Sequence, residues 1–233
     1  MKKNNKGLSI IIPILNENDN LINLTKKIYK FTKGIKFEVI FIDDNSEDNS
    51  YKTLKLLKKR YRNLKYFIRK KKNDLTQSCF LGIKKSNFKN ILIMDGDGQH
   101  DPKYIYKMFK IFSEKNMDFV IGVRNFYKKD NSLSTFRFFA SKILIFLLNF
   151  LFNIKTADPM SGFFIFKKNF YIQNKKIFFG KGYKILADFI YSTNKSIKIY
   201  DFKIKFLKRK KEKSKMSFKI LIILIFFIIK KFF

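Results

Sequence analysis

The chain has very little of several residue types on which common functions depend. Its 233 residues include one cysteine, one histidine, three prolines and no tryptophan. The lone Cys79 excludes an intramolecular disulfide framework and indicates exposure to a reducing, cytosolic environment. The lone His100 excludes a histidine-cluster metal site and argues against a Ser-His-Asp triad. These shortages remove disulfide-rich modules and histidine-based metal centres from consideration.

Acidic residues are also scarce relative to basic ones. The chain has 51 Lys and Arg residues against 18 Asp and Glu residues, which gives a formal net charge of +33. A field of this sign attracts anionic partners such as nucleic acid, acidic lipid or a phosphorylated substrate. A general bias toward Lys, Asn, Ile and Phe offers a second explanation of the lysine excess. The charge therefore favours an anionic partner without identifying it.

The hydrophobic residues, at 46% of the chain, are arranged as buried strands that alternate with helices. Residues 8–14 form a continuous apolar, β-branched run that predicts a buried strand, and the apolar segments at residues 37–42, 64–68, 90–94 and 118–122 predict four more. The intervening segments have apolar residues at helical spacing. Because strands and helices alternate, we predict one α/β domain with a mostly parallel sheet and helices on both faces.

Polar clusters begin where three of these strands end, at residues 16–17, 43–46 and 95–101. In parallel sheets, ligands bind in the crevice beyond the carboxyl ends of the strands. We therefore expect Asn16, Glu17 and Asp44 to face one crevice and to contact a nucleotide. The alternative for Asp43 and Asp44 is a favourable charge at a helix N-terminus.

The third cluster contains two carboxylates, Asp95 and Asp97, separated by a glycine. Alternate residues of an extended segment project on the same face. Two oxygen ligands at this spacing suit Mg²⁺ or Mn²⁺, which then shares the charge of a bound diphosphate. Gly96 and Gly98 permit close approach of a ligand to the backbone. We predict a divalent metal site here, with a simple solvated acidic loop as the alternative.

Two apolar stretches lie in the second half of the chain. Residues 138–154 form either a core helix or a helix in the membrane interface. Residues 208–215 are basic, and residues 220–229 carry no charge. A helix over residues 216–229 would be about 21 Å long, shorter than the ~30 Å hydrocarbon layer. We expect this short hydrophobic helix to act as an anchor at headgroup level rather than as a span.

Six short motifs occur in order along the chain. They are residues 11–17 (IIPILNE), 42–48 (IDDNSED), 94–102 (MDGDGQHDP), 122–124 (GVR), 158–163 (DPMSGF) and 209–215 (RKKEKSK). Together they resemble glycosyltransferase family 2, in its dolichyl-phosphate mannosyltransferase and polyprenyl-phosphate glycosyltransferase branch. The resemblance spans roughly residues 8–216 and implies a single glycosyltransferase-A fold. We assign residues 1–207 to a catalytic domain and residues 208–233 to a membrane-associating tail.

The resemblance also implies roles for individual side chains. The residues expected to contact the donor nucleotide are Pro13, Asn16, Glu17, Asp44, Asp95, Arg209 and Lys215. Those expected to hold Mg²⁺ or Mn²⁺ are Asp95, Asp97 and Gln99. Those expected at the acceptor phosphate are Arg124, Arg137 and Ser141. Catalytic roles are implied for Asp97, Arg124, Arg137 and Asp158.

The implied reaction moves a mannose- or glucose-type sugar, with inversion, from a GDP- or UDP-linked donor to dolichyl or undecaprenyl phosphate. A lipid phosphate needs no strong general base, because its second pKa of about 6 leaves it largely a dianion at neutral pH. The expected location is the cytoplasmic face of the cell membrane, as a peripheral or monotopic protein. Two departures from the family pattern stand out: residues 74–78 (DLTQS) replace a glycine-rich turn, and Glu212 replaces a glycine.

Three other functions are weighed against this one. The first is a family 2 enzyme that acts on another acceptor in cell-envelope polysaccharide synthesis. A nucleotidyltransferase usually has a glycine-rich N-terminal loop for the triphosphate, which residues 13–18 lack. A nucleic-acid-binding protein interleaves basic and aromatic residues on one face, whereas the phenylalanines here lie among isoleucines and leucines. We therefore expect no nucleic-acid partner.

Overall fold

The buried apolar runs of the sequence become the strands of one sheet. The computed structural model describes residues 7–124, 156–182, 184–193 and 196–207. Its strands are β1 (Leu8–Ile14), β2 (Phe37–Asp43), β3 (Leu64–Ile68), β4 (Asn90–Met94), β5 (Phe119–Arg124), β6 (Phe163–Lys167) and β7 (Ile199–Ile204). Its α-helices are α1 (Asn18–Phe31), α2 (Ser50–Arg60), α3 (Leu75–Lys85), α4 (Ile105–Glu114), α5 (Lys168–Asn174) and α6 (Ile185–Tyr191).

The strands are hydrogen-bonded in the order β3-β2-β1-β4-β6-β5-β7. Strand β6 runs antiparallel to both of its neighbours, β4 and β5, whereas the other adjacent pairs are parallel. The predicted mostly parallel sheet is therefore confirmed. Because β6 is antiparallel, the loop before it lies at the same edge of the sheet as the segments that follow β1, β2, β4 and β5.

Both faces of the sheet are buried, as expected for a sheet covered by helices. On β1, Ile10 and Ile12 pack in a core with α1, α2 and α4, while Ile11 packs in a second core with α3, α5 and α6. Alternate side chains point to opposite faces, so an uninterrupted apolar run serves both cores. Each fully buried side chain of this size contributes about 1.5–3 kcal/mol.

The strand predictions hold with small shifts at the ends. Strand β2 extends one residue further, to Asp43, and β5 runs from Phe119 to Arg124. A short 3₁₀ helix, Pro102–Tyr104, precedes α4. Strands β6 and β7 were not predicted. Among the described ranges, no helix combines the length and apolar character needed to cross a bilayer. Residues 138–154 and the tail lie outside those ranges.

A buried carboxylate joins the first strands at the edge opposite the polar loops. The oxygens of Glu38 accept hydrogen bonds from Ser9 Oγ at 2.6 Å, Asn87 N at 2.6 Å and Lys65 Nζ at 2.8 Å. Burial raises the pKa of Glu38, but the hydrogen bonds from Lys65, Ser9 and Asn87 outweigh it. The pKa therefore lies below its ordinary value.

We predict that Glu38→Gln lowers the free energy of unfolding at neutral pH by about 1–3 kcal/mol, because it removes charge-assisted hydrogen bonds. A carboxylate with a depressed folded-state pKa stabilises the protein above its unfolded pKa, about 4.3 for Glu. That stabilisation is lost as the pH falls through the folded-state value. The difference between variant and wild type should therefore shrink on acidification.

Urea unfolding at several pH values measures this difference. Glu114→Gln is the matched control, because Glu114 is exposed and forms only a loose pair with Lys110 at 3.8 Å. It should change the free energy of unfolding little at any pH. A Glu38→Gln deficit that stays constant from neutral to acidic pH would contradict the assigned pKa direction.

Candidate active site

The polar loops meet at one edge of the sheet, on top of β1. The loop after β4 lies directly on the end of this strand, since a Cβ placed on Gly96 would be 2.6 Å from Ile14 Cγ2 and 3.2 Å from the Pro13 carbonyl oxygen. Gly98 faces α1, with Asn20 Oδ1 3.6 Å from the equivalent position. Gly96, predicted to permit close approach of a ligand, is thus also required by the packing of its own loop on β1.

The loops after β1 and β2 are hydrogen-bonded to each other. Asn16 N donates to Ser46 Oγ at 2.9 Å, and Glu47 N donates to Asn16 Oδ1 at 2.8 Å. Asn16 and Asn45 have left-handed backbones, with φ of 56° and 65°, a conformation that asparagine tolerates better than most residues. Glu17 Oε2 accepts from Asn20 Nδ2 at 2.8 Å. Asn16 and Glu17 therefore shape the crevice wall, and their contact with a nucleotide stays a prediction.

The carboxylate of Asp44 is held by two partners. Arg69 Nε donates to Asp44 Oδ1 at 2.6 Å, and Asp74 N donates to Oδ2 at 2.6 Å. Arg69 also donates to the Lys72 carbonyl oxygen at 2.6 Å. Burial raises the pKa of Asp44 above its ordinary value, against the lowering effect of Asp74 and Arg69. Asp44 thus fixes the segment after β3, and its contact with a nucleotide stays a prediction.

The segment that departs from the family's glycine-rich turn has a structural use. Asp74 caps α3 by accepting from Gln77 N at 3.0 Å, and its second oxygen accepts from Gly182 N at 3.0 Å. The Gly182 carbonyl in turn accepts from Thr76 N at 3.0 Å and from Thr76 Oγ1 at 2.9 Å. Residues 74–78 therefore bind the loop that precedes α6, a partnership across about a hundred residues that local sequence did not reveal.

The predicted metal loop is tied to the segment after β7. Asp97 Oδ1 accepts from Gln99 N at 3.0 Å, and Gly98 has a left-handed φ of 76°. Leu207 N donates to the Gln99 carbonyl at 2.9 Å, and Gln99 Nε2 donates to the Leu207 carbonyl at 3.3 Å. This pair of hydrogen bonds brings the end of the described chain onto the metal loop. Gln99 as a metal ligand stays a prediction.

Asp95 lies between a histidine and a glycine. His100 Nε2 is 3.3 Å from Asp95 Oδ2, and the imidazole is buried between the rings of Phe163 and Phe206, whose centroids are 5.2 and 5.1 Å away. A Cβ on Gly162 would be 2.6 Å from Asp95 Cγ. Only glycine fits at this position without displacing the carboxylate.

The two carboxylates suit a metal that a bound substrate helps to hold. In the described part of the chain, no three His, Cys, Asp or Glu side chains gather as a metal site. Mg²⁺ and similar cations are commonly held by one or two carboxylates together with substrate phosphates. Asp95 and Asp97 match that donor set, with the Asp95 side chain about one-third exposed at 33%. The residues therefore fit a divalent ion that binds together with a diphosphate.

A buried ion pair lies across the crevice from the metal loop. Arg124 Nε donates to Asp158 Oδ2 at 2.7 Å, and Nη2 donates to Oδ1 at 2.9 Å. Asp158 is fully buried, and the guanidinium lies 5.6 Å from the Phe206 ring centroid. Burial lowers the pKa of Arg124, but the hydrogen bonds and charge of Asp158 outweigh it and the pKa is raised. Asp158 thus orients Arg124; the catalytic roles of both stay predictions.

The structure adds one cation that the sequence analysis did not single out. Lys184 lies immediately before α6 and interacts electrostatically with Arg124, Asp158 and Asp95. The sequence feature that could have drawn attention to Lys184 is the pair of glycines, Gly180 and Gly182, which precedes the apolar segment of α6. The remaining predicted site residues lie outside the described ranges: Arg137, Ser141, Arg209 and Lys215.

Sequence comparison finds relatives over most of the chain. A dolichol-phosphate mannosyltransferase from Pyrococcus furiosus is 31% identical over 168 residues, which cover 69% of this chain and 46% of that protein. The dolichol-phosphate mannosyltransferase of Saccharomyces cerevisiae is 28% identical over 180 residues, covering 71% of this chain and 62% of that protein. The chain thus spans less than two thirds of the length of both relatives.

Structural comparison identifies the same fold. Glucosyl-3-phosphoglycerate synthase from Mycobacterium tuberculosis, crystallised with Mn²⁺, UDP and phosphoglyceric acid, superposes with a TM-score of 0.67 at 13% identity. The match covers 88% of this chain and 72% of that one. The predicted glycosyltransferase-A fold is thereby confirmed. The family model for glycosyl transferase family 2 matches residues 9–174. The chain therefore belongs to glycosyl transferase family 2 and is a glycosyltransferase, and its similarity to these relatives supports the dolichol-phosphate mannosyltransferase branch.

Proposed function

We propose that this glycosyltransferase moves a mannose- or glucose-type sugar from a nucleotide diphosphate to a polyprenyl phosphate, with inversion at the anomeric carbon. The observation that carries the proposal is the meeting of two kinds of site at one edge. The carboxylate loop of Asp95 and the loop of Asp158 touch at Gly162. The carboxylates proposed for a metal–diphosphate and the partly buried Arg124 proposed for a second phosphate therefore belong to neighbouring loops.

The donor side is built from the loops after β1, β2 and β4. Asp95 and Asp97 would hold Mg²⁺ or Mn²⁺, which supplies charge stabilisation to the departing nucleotide diphosphate when bound. Contacts with His100 and Gly162 orient the Asp95 carboxylate. The main-chain N–H of Gln99 orients the Asp97 carboxylate by donating a hydrogen bond to it. Side chains that are already oriented need no rearrangement as the diphosphate departs. GDP and UDP both remain candidates for the nucleotide.

The acceptor side is centred on Arg124. A polyprenyl phosphate is largely a dianion, so the chain needs to position and neutralise it rather than deprotonate it. The bidentate bond to Asp158 fixes the plane of the Arg124 guanidinium, and a fixed guanidinium favours one orientation of a phosphate. An acceptor oxygen then forms the new bond to the anomeric carbon as the bond to the diphosphate breaks. The names of the archaeal and yeast relatives support a polyprenyl acceptor.

Because the proposed acceptor is a lipid, the enzyme is expected to work at a membrane surface. The net charge of +33 favours an anionic surface, and residues 208–233 combine a basic stretch with an uncharged apolar one. The described chain reaches the metal loop at Leu207, immediately before this tail. We propose that the tail holds the enzyme on the cytoplasmic face of the membrane as a peripheral or monotopic protein.

The function is tested by incubating membranes that contain the protein with radiolabelled GDP- and UDP-sugars and polyprenyl phosphate. We expect label in the lipid phase with wild type and none above background with Asp97→Asn, which loses a metal ligand. Asp118→Asn is the control, because Asp118 lies at the opposite edge of the sheet and pairs loosely with Lys167 at 3.6 Å. Transfer to a water-soluble acceptor, with no labelled lipid, would overturn the polyprenyl assignment.

A second prediction concerns Gly162→Ala. The added Cβ would displace the Asp95 carboxylate, so Mn²⁺-dependent binding of the nucleoside diphosphate should weaken by roughly tenfold or more. Gly82→Ala is a matched control, because its Cβ would crowd Ile11 in the core, away from the carboxylates. Calorimetry of nucleotide binding and thermal unfolding of both variants separate the two effects. Equal nucleotide affinities in the two variants would count against the role of Gly162.

A third prediction concerns the tail. Removal of residues 218–233 should leave a protein that floats with anionic vesicles at low salt and dissociates at high salt. The remaining basic residues contribute about 1 kcal/mol each, and salt screens them. The intact chain should stay bound, because apolar insertion is insensitive to salt. Identical flotation profiles across the salt series would refute the anchoring role.

A further inference from the structure

Lys184 lies within electrostatic range of the charged residues of the candidate active site. It is partly buried at the start of α6, where its carbonyl accepts a hydrogen bond from Asp188 N at 3.0 Å. Its charge acts on residues of both sides of the crevice, Asp95 on the donor side and Arg124 with Asp158 on the acceptor side. A cation in this position attracts a phosphate that binds near either loop.

The backbone that carries Lys184 is fixed from two directions. Gly182, with φ of 87°, is bound by Asp74 and Thr76, as described above. Gly180 N donates to Asp188 Oδ2 at 2.8 Å, which ties the same loop to α6. These hydrogen bonds fix the backbone at Gly180 and Gly182, shortly before Lys184 in the chain.

The charges around Lys184 are not matched within the described structure. The Arg124 guanidinium is neutralised by Asp158, whereas no described carboxylate forms an ion pair with Lys184. Burial, and to a smaller extent the charge of Arg124, lower the pKa of Lys184 to about 8, against the opposing effects of Asp158 and Asp95. A desolvated ammonium without an anionic partner is unfavourable. A bound phosphate would supply that partner.

We propose that Lys184 binds the phosphate of the acceptor lipid, beside Arg124. This assignment deepens the proposed function and rests on it. The donor diphosphate would share its charge with a divalent ion held by Asp95 and Asp97, whereas Arg124, the described arginine proposed for the acceptor dianion, is already paired with Asp158. An ammonium acts on phosphate as a point charge. It complements the directional guanidinium.

The test uses the full-length protein in detergent with Mn²⁺ and either GDP or UDP, whichever binds more tightly. Calorimetry measures the affinity for a short, water-soluble prenyl phosphate, and separately the affinity for the nucleoside diphosphate. Lys184→Met should weaken prenyl phosphate binding roughly 10- to 100-fold, as expected for loss of a hydrogen bond between charged groups. The affinity of Lys184→Met for the nucleoside diphosphate should change less than about twofold. Retained nucleotide binding would also demonstrate that this variant is folded.

Two further variants sharpen the comparison. Lys181→Met removes an exposed lysine from the same loop and should leave both affinities unchanged. Lys184→Arg keeps the charge and should retain more prenyl phosphate affinity than Lys184→Met. Unchanged prenyl phosphate affinity in Lys184→Met would overturn the proposal, as would a loss confined to the nucleotide.

The same experiment separates this inference from the proposed function. Wild type that binds prenyl phosphate through Lys184 but transfers no sugar to it would refute the function and leave the binding site standing. Wild type that transfers sugar while Lys184→Met keeps full affinity would do the reverse. Wild type that neither binds nor transfers would overturn both.

Discussion

The buried pair of Arg124 and Asp158 is the interaction on which the arrangement of the candidate active site depends. Removing a carboxylate from water costs several kcal/mol, and Asp158 has no exposed surface at all. The cost is offset because both of its oxygens are bound in parallel by one guanidinium. The pair joins the end of β5 to the loop before β6. That loop then places Gly162 against Asp95 and Phe163 against His100.

The first five strands of the sheet could be predicted from sequence because each contains at least three consecutive apolar residues, even though Glu38 and Lys65 interrupt β2 and β3. The antiparallel strand β6 could not be placed in the same way. Its residues 163–166 are four consecutive apolar side chains, FFIF, which suit a central strand of either direction. What inserts it between β4 and β5 is a long-range pairing. The terminal strand β7 has mixed burial and therefore lacked the continuous apolar signal.

The candidate site likewise contains features that a local sequence pattern predicts and features that depend on long-range contacts. Asp95 and Asp97 could be proposed because two residues in one loop carry the whole pattern. The link from Asp74 to Gly182 spans 108 positions, and no local pattern announces it. Lys184 carried little signal of its own in a chain with 51 basic residues. Because lysine is so abundant, the sequence does not distinguish Lys184 from surface lysines. Only the folded structure shows which lysine lies near the crevice.

The hydrogen bond from Leu207 N to the Gln99 carbonyl has a consequence for observing the enzyme in solution. An amide proton exchanges with solvent only when its hydrogen bond opens. The Leu207 amide therefore exchanges at a rate set by how often the metal loop separates from the segment after β7. Any ligand that tightens this loop will slow that exchange, even if it never touches Leu207. One backbone proton thus serves as a built-in reporter of loop order.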